Sequence, residues 1–509
     1  MLAATVSAVV AAMAVVAGCG APPAPAGDSV AAPSRPAAAR STGARASAPN
    51  YSTLAAKAVS TLVHGFYTGA GTWNMCLPAI CNKKNFDWGA DSLTYALYLH
   101  WLLTGDRQVK PIMAALAATA RLYSPSTTSS SDVPMWDAIA DVREFQVTGN
   151  PAALSKAEAA FAFVDTADAR RFAAGACPAI DYQKPDGGSN DLKTLETDSN
   201  YIKAALLLYQ ATHQGAYLTK AERKYAAVRR YFLTSSALYT VYVFDNGSSC
   251  RQLGGRFFAS VNGNMIWSGA ELARLTGKHA YLANALATAK AVSHRLGDAT
   301  GVYADLQAEN DVAEPLIEAM YMLATTEHQA FARDWLLRSA SAAGAEVTSR
   351  GIFGRPFDGP PPRTTVTAWQ ANGGLALMSA AASLDPAGTP ADPSFWHQAT
   401  WVPDDQRLPA GGGSVKIRFT GRAIAIIGTM GEVCCQAGHA RVYIDGTMTF
   451  DRTGIWQNKS SSARKISGTV LFAWRWPASG QHVITIAPAP FNPKEGGPFF
   501  HMTGYYFVP

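Results

Sequence analysis

The chain has 509 residues, of which only 16% are charged, and its formal net charge is +6. That length is enough for two or three domains, each with its own core. Lys and Arg are scattered rather than clustered, which excludes a basic surface built for nucleic acid, and no nucleic-acid partner is expected.

Segment 1–19 reads as a leader. Residues 2–18 are apolar and small and end in Val16-Ala17-Gly18-Cys19. Such a run predicts a secretory signal rather than a membrane span. Its ending resembles a bacterial lipoprotein cleavage box, in which Cys19 becomes the lipidated first residue and holds the protein to the membrane. No Lys or Arg precedes the run, and an ordinary buried or free Cys19 is the alternative. Residues 20–50 are Ala, Pro, Ser and Gly with almost no large apolar side chains, so they predict a disordered tether.

There are seven cysteines, and without Cys19 an even number remains, which suits an oxidising compartment. Cys76 and Cys81 are close enough to staple a loop, and Cys177 and Cys250 form a natural second pair. Cys434 and Cys435 are adjacent, as a strained vicinal disulfide or as two free thiols. No spacing suggests a zinc site, and no metal or cofactor is expected.

From Tyr51 to Leu384 the pattern is helical, with a loose repeat. His100-Trp101-Leu102-Leu103-Thr104-Gly105-Asp106 recurs in outline as Phe145-Gln146-Val147-Thr148-Gly149-Asn150 and as Leu208-Tyr209-Gln210-Ala211-Thr212-His213. It returns as Leu272-Ala273-Arg274-Leu275-Thr276-Gly277 and weakly as Met322-Leu323-Ala324-Thr325-Thr326. Each copy predicts a helix ended by a left-handed residue, then a second helix folding back. One hairpin every ~45–65 residues implies stacked helix pairs, in a linear solenoid or a closed toroid of about six hairpins.

Within this region Asp132-Val133-Pro134-Met135-Trp136-Asp137-Ala138-Ile139-Ala140-Asp141 is where chemistry is expected. Pro134 suits a first helical turn, and Met135, Ile139 and Val142 recur at helical spacing. A carboxylate at the start of that helix beside the ring of Trp136 suits a sugar site, since the ring offers a flat apolar face. Helix capping by Asp132 is the competing role. Asp137 and Asp141 share one face at i,i+4, as a polar seam would.

Around Asp385-Pro386 the composition turns to Pro, Gly and Asp, and from 394 to 509 the period becomes two. Val415-Lys416-Ile417-Arg418-Phe419, Arg441-Val442-Tyr443-Ile444 and His482-Val483-Ile484-Thr485-Ile486 alternate, as does Gly504-Tyr505-Tyr506-Phe507-Val508. Short strands of this kind predict a β-sandwich of about 115 residues.

With these residues identified, residues 60–380 resemble glycoside hydrolase family 76, the α-1,6-mannanases with an (α/α)6 barrel. Phe86-Asp87-Trp88-Gly89-Ala90-Asp91 resembles the aromatic opening of that family's first inner helix, and Met135–Ala140 its Trp-rich second. Cys177-Pro178-Ala179-Ile180-Asp181-Tyr182-Gln183 resembles the strip before the third. Glu196-Thr197-Asp198-Ser199-Asn200 falls where the family has paired asparagines, and Ser260-Val261-Asn262-Gly263-Asn264 resembles its Tyr-Asn turn. The resemblance implies an (α/α)6 toroid over 51–385, followed by a jelly-roll-like sandwich over 394–509 similar to the modules appended to secreted carbohydrate enzymes. Trp456, Trp474 and Trp476 of the sandwich could stack on a sugar, although Trp in a sandwich is more often core.

One departure matters. The family signature is two consecutive aspartates before the Trp-rich helix, and here Asp132 is followed by Val133. A retaining glycosidase needs two carboxyl groups about 5–5.5 Å apart and an inverting one about 6.5–9.5 Å. The expected catalytic candidates are therefore Asp132 with Asp181, Glu196 or Asp198. Asp87, Trp88, Asp91, Trp136, Asp137, Asn200 and Asn262 are expected to bind substrate. The expected activity is an exported, endo-acting glycoside hydrolase that cleaves an α-linked, mannan-like cell-envelope polysaccharide. The alternative is a non-catalytic glycan-binding lipoprotein on a decayed hydrolase barrel, which the absent second aspartate favours. A pure scaffold lipoprotein is the third reading, against which the concentration of acids and Trp speaks.

Overall fold

The computed structural model describes residues 49–509 apart from 75, 79–83, 86–87, 118–122, 125–127, 129, 172–174, 184–191, 254–256, 305–311, 355, 364–365, 393–394, 431–438, 449–454, 457–465 and 490–498. The expected leader with Cys19, most of the tether, Cys81, Asp87, Cys434 and Cys435 lie outside the described residues.

The helical region holds α1 (Tyr51–Thr61), α2 (Trp88–Thr104), α3 (Lys110–Ala117), α4 (Asp132–Thr148), α5 (Pro151–Arg171) and α6 (Leu195–Thr212). It continues with α7 (Gly215–Phe232), α8 (Ala259–Thr276), α9 (His279–Arg295), α10 (Glu314–Thr325), α11 (Ala330–Ala345) and α12 (Ala368–Leu384). The even-numbered helices form an inner ring in which each packs on the next and α12 packs on α2. The odd-numbered helices lie outside, with α1 against α12. Closure is tied by Tyr51 N donating to the Gly388 carbonyl at 2.9 Å and by His100 Nδ1 against Ser379 Oγ at 2.9 Å. The hairpins therefore form a closed toroid rather than an open solenoid.

The sequence explains which helices go inside. Every residue of α2 from Gly89 to His100 is buried, the state of a helix packed on all sides. By contrast α7 buries only Ala221, Lys224, Tyr225, Val228 and Phe232, one face at helical spacing. The repeat seen in the sequence is the end of five of the six inner helices, α2, α4, α6, α8 and α10. Thr104, Thr148, Thr212, Thr276 and Thr325 each donate from Oγ1 to the carbonyl four residues back, at 2.6–2.9 Å. The first four also accept, at 3.1–3.3 Å, the N–H of the residue two places on. The next residue is left-handed, with φ of 73° at Gly105, 75° at Gly149, 58° at His213 and 70° at Gly277. That conformation stops the helix and turns the chain back. Ser260–Asn264, expected as a turn, is instead the first turns of α8. Gly263 is needed there for packing, because a β-carbon would sit 2.4 Å from Leu316 N of α10.

The C-terminal region is antiparallel β-structure as expected, and among the described residues its seven strands are joined in one hydrogen-bonded sheet. Its order is Thr447–Met448, His439–Ile444, Ile466–Pro488, Val415–Met430, Phe499–Val508 and Thr400–Pro409, with Ile455–Trp456 pairing on His439–Ile444. The two long central strands serve both halves, with a break in register between Gly421 and Ala423. One face buries Ile417, Ile424, Ile426, Phe472, Ile484 and Ile486. The other presents the small residues Ala423, Ala425 and Ala473 with Val508, and Phe395 and Trp396 pack onto them. Both faces adjoin the helical region, at Gly359 beside Ala473 and at α9 and α11 beside Trp474 and Trp476, and from Ala48 to Pro509 the chain forms one compact unit.

Candidate functional site

The inner helices run in one direction, so their N-terminal ends gather at one mouth of the toroid. Asp132 is the first residue of α4 and half-buried, and the cap position before it belongs to Ser131. The start of α4 is pinned by Ser131 N and Ser130 Oγ, which donate to the Gln183 carbonyl at 2.9 and 3.1 Å. A carboxylate in a first turn is stabilised as an anion by the helix dipole. One turn on, Trp136 is buried, its ring 6.4 Å from that of Trp88, the first residue of α2, and 6.3 Å from Tyr95. Asp91 is buried in the first turn of α2. Across the mouth, Asn264 Nδ2 of α8 donates to Asn200 Oδ1 of α6 at 2.7 Å. The structure thus brings Trp88, Asp91, Asp132, Trp136 and Asn200 onto inner helices near one opening.

Below this layer the inner wall carries a charge cluster that the sequence reading did not single out. Glu318 of α10 pairs with Arg143 of α4 and, at 2.6 Å, with Lys203 of α6, and it accepts the Tyr95 hydroxyl of α2. Arg143 also donates to Tyr98 at 2.6 Å and lies 4.0 Å above its ring, while Lys203 lies 4.8 Å from the Trp267 ring. Burial alone would raise the Glu318 carboxyl, but Arg143 and Lys203 outweigh it and hold it below the usual range. Burial also drops Lys203 to about 8, against the pull of Glu318. The cluster joins four inner helices and sets a polar floor under the mouth. Its signal in sequence was a charge with apolar neighbours on every side, as in Tyr201-Ile202-Lys203-Ala204-Ala205 and Leu316-Ile317-Glu318-Ala319-Met320.

Other expected site residues are committed elsewhere. Asp181 and Asp198 bind Lys224 of the outer helix α7, at 2.8 and 3.1 Å, and Asp181 N donates to both Asp198 oxygens at 3.3 Å. Lys224 thus ties both carboxylates to the outer layer. Burial pushes the Asp198 carboxyl well up, Lys224 opposes it, and Asp181 adds to it. Asp137 accepts the Tyr123 hydroxyl at 2.5 Å, which draws it into the loop before α4. Asn262 spans the chain, accepting from Tyr239 N at 2.9 Å and donating to the Tyr239 and Phe258 carbonyls, so it fastens α8 to the preceding loop. Glu196 is half-buried and accepts from Thr194 Oγ1 at 3.2 Å and the Tyr242 hydroxyl at 3.3 Å.

The mouth loop is stiffened beside α6. Cys177 and Cys250 are bridged, with a Cα–Cα distance of 5.3 Å, and Cys76 is also disulfide-bonded. Asp245 accepts the N–H groups of Ala176, Cys177 and Gly247, each at 2.9 Å, and pairs with buried Lys193 at 3.0 Å. Burial works against its charge, yet these donors hold the carboxyl at about 2.

No protein-family model matches this chain, and no curated protein does. Solved structures do. An α-1,6-mannanase of Salegentibacter sp. HEL1_6, inactivated by replacing two consecutive aspartates with alanine and bound to α-1,6-mannotetrose, superposes with a TM-score of 0.58. Its identity is 18%, over 66% of this chain and 100% of that one. A family 76 α-mannanase of Bacteroides thetaiotaomicron gives 0.55 at 16% identity, over 66% of this chain and 97% of that one. Dfg5 of Chaetomium thermophilum, in complex with glucosamine, gives 0.50 at 13%, over 68% and 92%. The helical region therefore has the fold of the family 76 glycoside hydrolases.

Proposed function

We propose that the protein is an exported glycoside hydrolase that binds an α-linked, mannan-like polysaccharide at the mouth of the toroid and cleaves it with Asp132. The observation that carries this reading is a half-buried carboxylate opening an inner helix, one turn from the Trp88–Trp136 pair. The aromatic pair offers an apolar face to a pyranose ring, and a carboxylate beside it suits proton transfer or attack on the anomeric carbon. Asp91, in the first turn of the neighbouring inner helix, is our proposed partner, since Asp181 and Asp198 are held by Lys224. Cys19 would anchor the export product to the membrane.

One observation favours a second reading. Val133 follows Asp132 where two carboxylates in sequence were expected, and a mouth with one working acid would bind glycan without cutting it. The purified protein should be incubated with α-1,6-mannan, arabinan and galactan beside the Asp132→Asn variant. Release of reducing ends from mannan that drops at least about a hundredfold in the variant, with unchanged melting, supports catalysis by Asp132. Binding to mannan without release by the parent would establish the glycan-binding reading instead.

A further inference from the structure

A second opening lies between the helical region and the sheet. It is a cleft of about 780 Å³, walled on one side by the end of α9, the turn after it and α11, and on the other by Trp474 and Trp476. Trp474 and Trp476 are two residues apart on strand Ile466–Pro488, so both present their rings on one face. Each ring is held from behind. Phe472 lies parallel to Trp474 at 6.2 Å, and His482 stacks under Trp476 at 3.9 Å. His482 is itself fixed by its Nδ1 contact of 2.9 Å to Asp445. Both tryptophans remain half-buried and reach the cleft. Opposite them, Trp335 of α11 is only 3% exposed, and its indole Nε1 has no acceptor among the described residues. Asp334 and Arg338 of the same helix are exposed and complete that wall.

We propose that this cleft is a second glycan-binding site that holds a stretch of neutral pyranose polymer outside the catalytic mouth. The chemistry selects that ligand. Braced aromatic faces suit the C–H face of a pyranose ring, and the exposed Asp334 carboxylate and Arg338 guanidinium suit its hydroxyls. Both signs of charge line the cleft, so neither a polyanion nor a polycation is favoured. Its walls come from both regions, so the sheet docked on the barrel makes the site.

The test uses the full chain, binding to α-1,6-mannan and hydrolysis of α-1,6-mannotetraose. Trp476→Ala and, separately, Arg338→Ala should weaken mannan binding about tenfold or more, while mannotetraose turnover and the melting temperature stay at parental values. Arg338 is exposed, so that variant keeps the test valid if Trp476→Ala unfolds. If the parent does not hydrolyse mannotetraose, the catalytic reading of the mouth fails, while the cleft still stands or falls on mannan binding. Unchanged mannan binding in Arg338→Ala and in folded Trp476→Ala overturns the proposal. Binding of a peptide library or polyphosphate to the cleft in preference to mannan also overturns it.

Discussion

At the scale of single residues the barrel separates charges that look alike in sequence. Asp132 and Asp198 each open or nearly open an inner helix, yet one is half-buried at the mouth and the other is wholly buried against Lys224. The sequence could not tell them apart, because the partner of Asp198 lies on the next helix, 26 positions along. Removing one member of a buried ion pair strands the other in low dielectric, at a cost of about 3–5 kcal/mol. Lys224→Met should therefore lower stability by that amount in denaturant unfolding. Asp198→Asn should cost far less, because burial already favours the uncharged form of Asp198, and under the proposed function it should leave mannan hydrolysis unchanged. A loss of turnover in folded Asp198→Asn would return that residue to the catalytic set.

Among the elements, the inner helices were legible because their ends repeat. The Thr-Gly signature is a local device, in which a hydroxyl satisfies a carbonyl four back and a left-handed residue turns the chain, so neighbouring residues suffice to reveal it. Helix-to-helix approach is different. Gly263 belonged to a segment read as a turn, yet it lies within α8 where the chain touches Pro315 and Leu316 of α10. No window of sequence holds both sides of that contact. Gly263→Ala would place a β-carbon 2.4 Å from backbone, so α8 and α10 must separate. A loss of about 1–3 kcal/mol is expected, read as a lower denaturation midpoint, where a glycine inside an unconstrained helix would gain stability on the same change. The Cys177–Cys250 bridge was legible from parity of cysteines, and it closes a loop of 73 residues. On a loop-entropy basis its reduction should cost about 4 kcal/mol.

For the whole molecule, the question is what holds sheet and barrel together and which conditions loosen them. Among the described residues no helix is long and apolar enough to cross a membrane, and the tie to the membrane that we propose is Cys19. A Cys19→Ala change should move the protein out of the membrane fraction, and unchanged fractionation would end that proposal. The internal joint is better defined. Arg475 of the sheet is buried, donates from Nε to the Asp358 carbonyl at 2.7 Å and lies 4.3 Å from the Phe395 ring. Trp396 Nε1 donates to the same carbonyl at 3.0 Å, and Trp396 N donates to Glu346 Oε1 at 3.2 Å. The side chains of Asp298, Glu346 and Asp358 face this one guanidinium, with Asp392 further out. Burial raises all three acids, and Glu346 reaches about 7, from an ordinary 4.5. A carboxyl that binds its proton more tightly when folded contributes its full stability below its unfolded value and loses it as pH rises through its folded value. Glu346 therefore favours the docked state most below pH 4.5, and that contribution fades toward pH 7. The melting temperature of the full chain, corrected for the parent's other titrations by comparison with Glu346→Gln, should fall more steeply in the parent than in the variant across that window. The amide keeps the bond from Trp396 N and cannot ionise, so above neutrality Glu346→Gln should melt higher than the parent. Parallel pH profiles would show that Glu346 does not titrate at this joint and that Asp298 and Asp358 alone set its response.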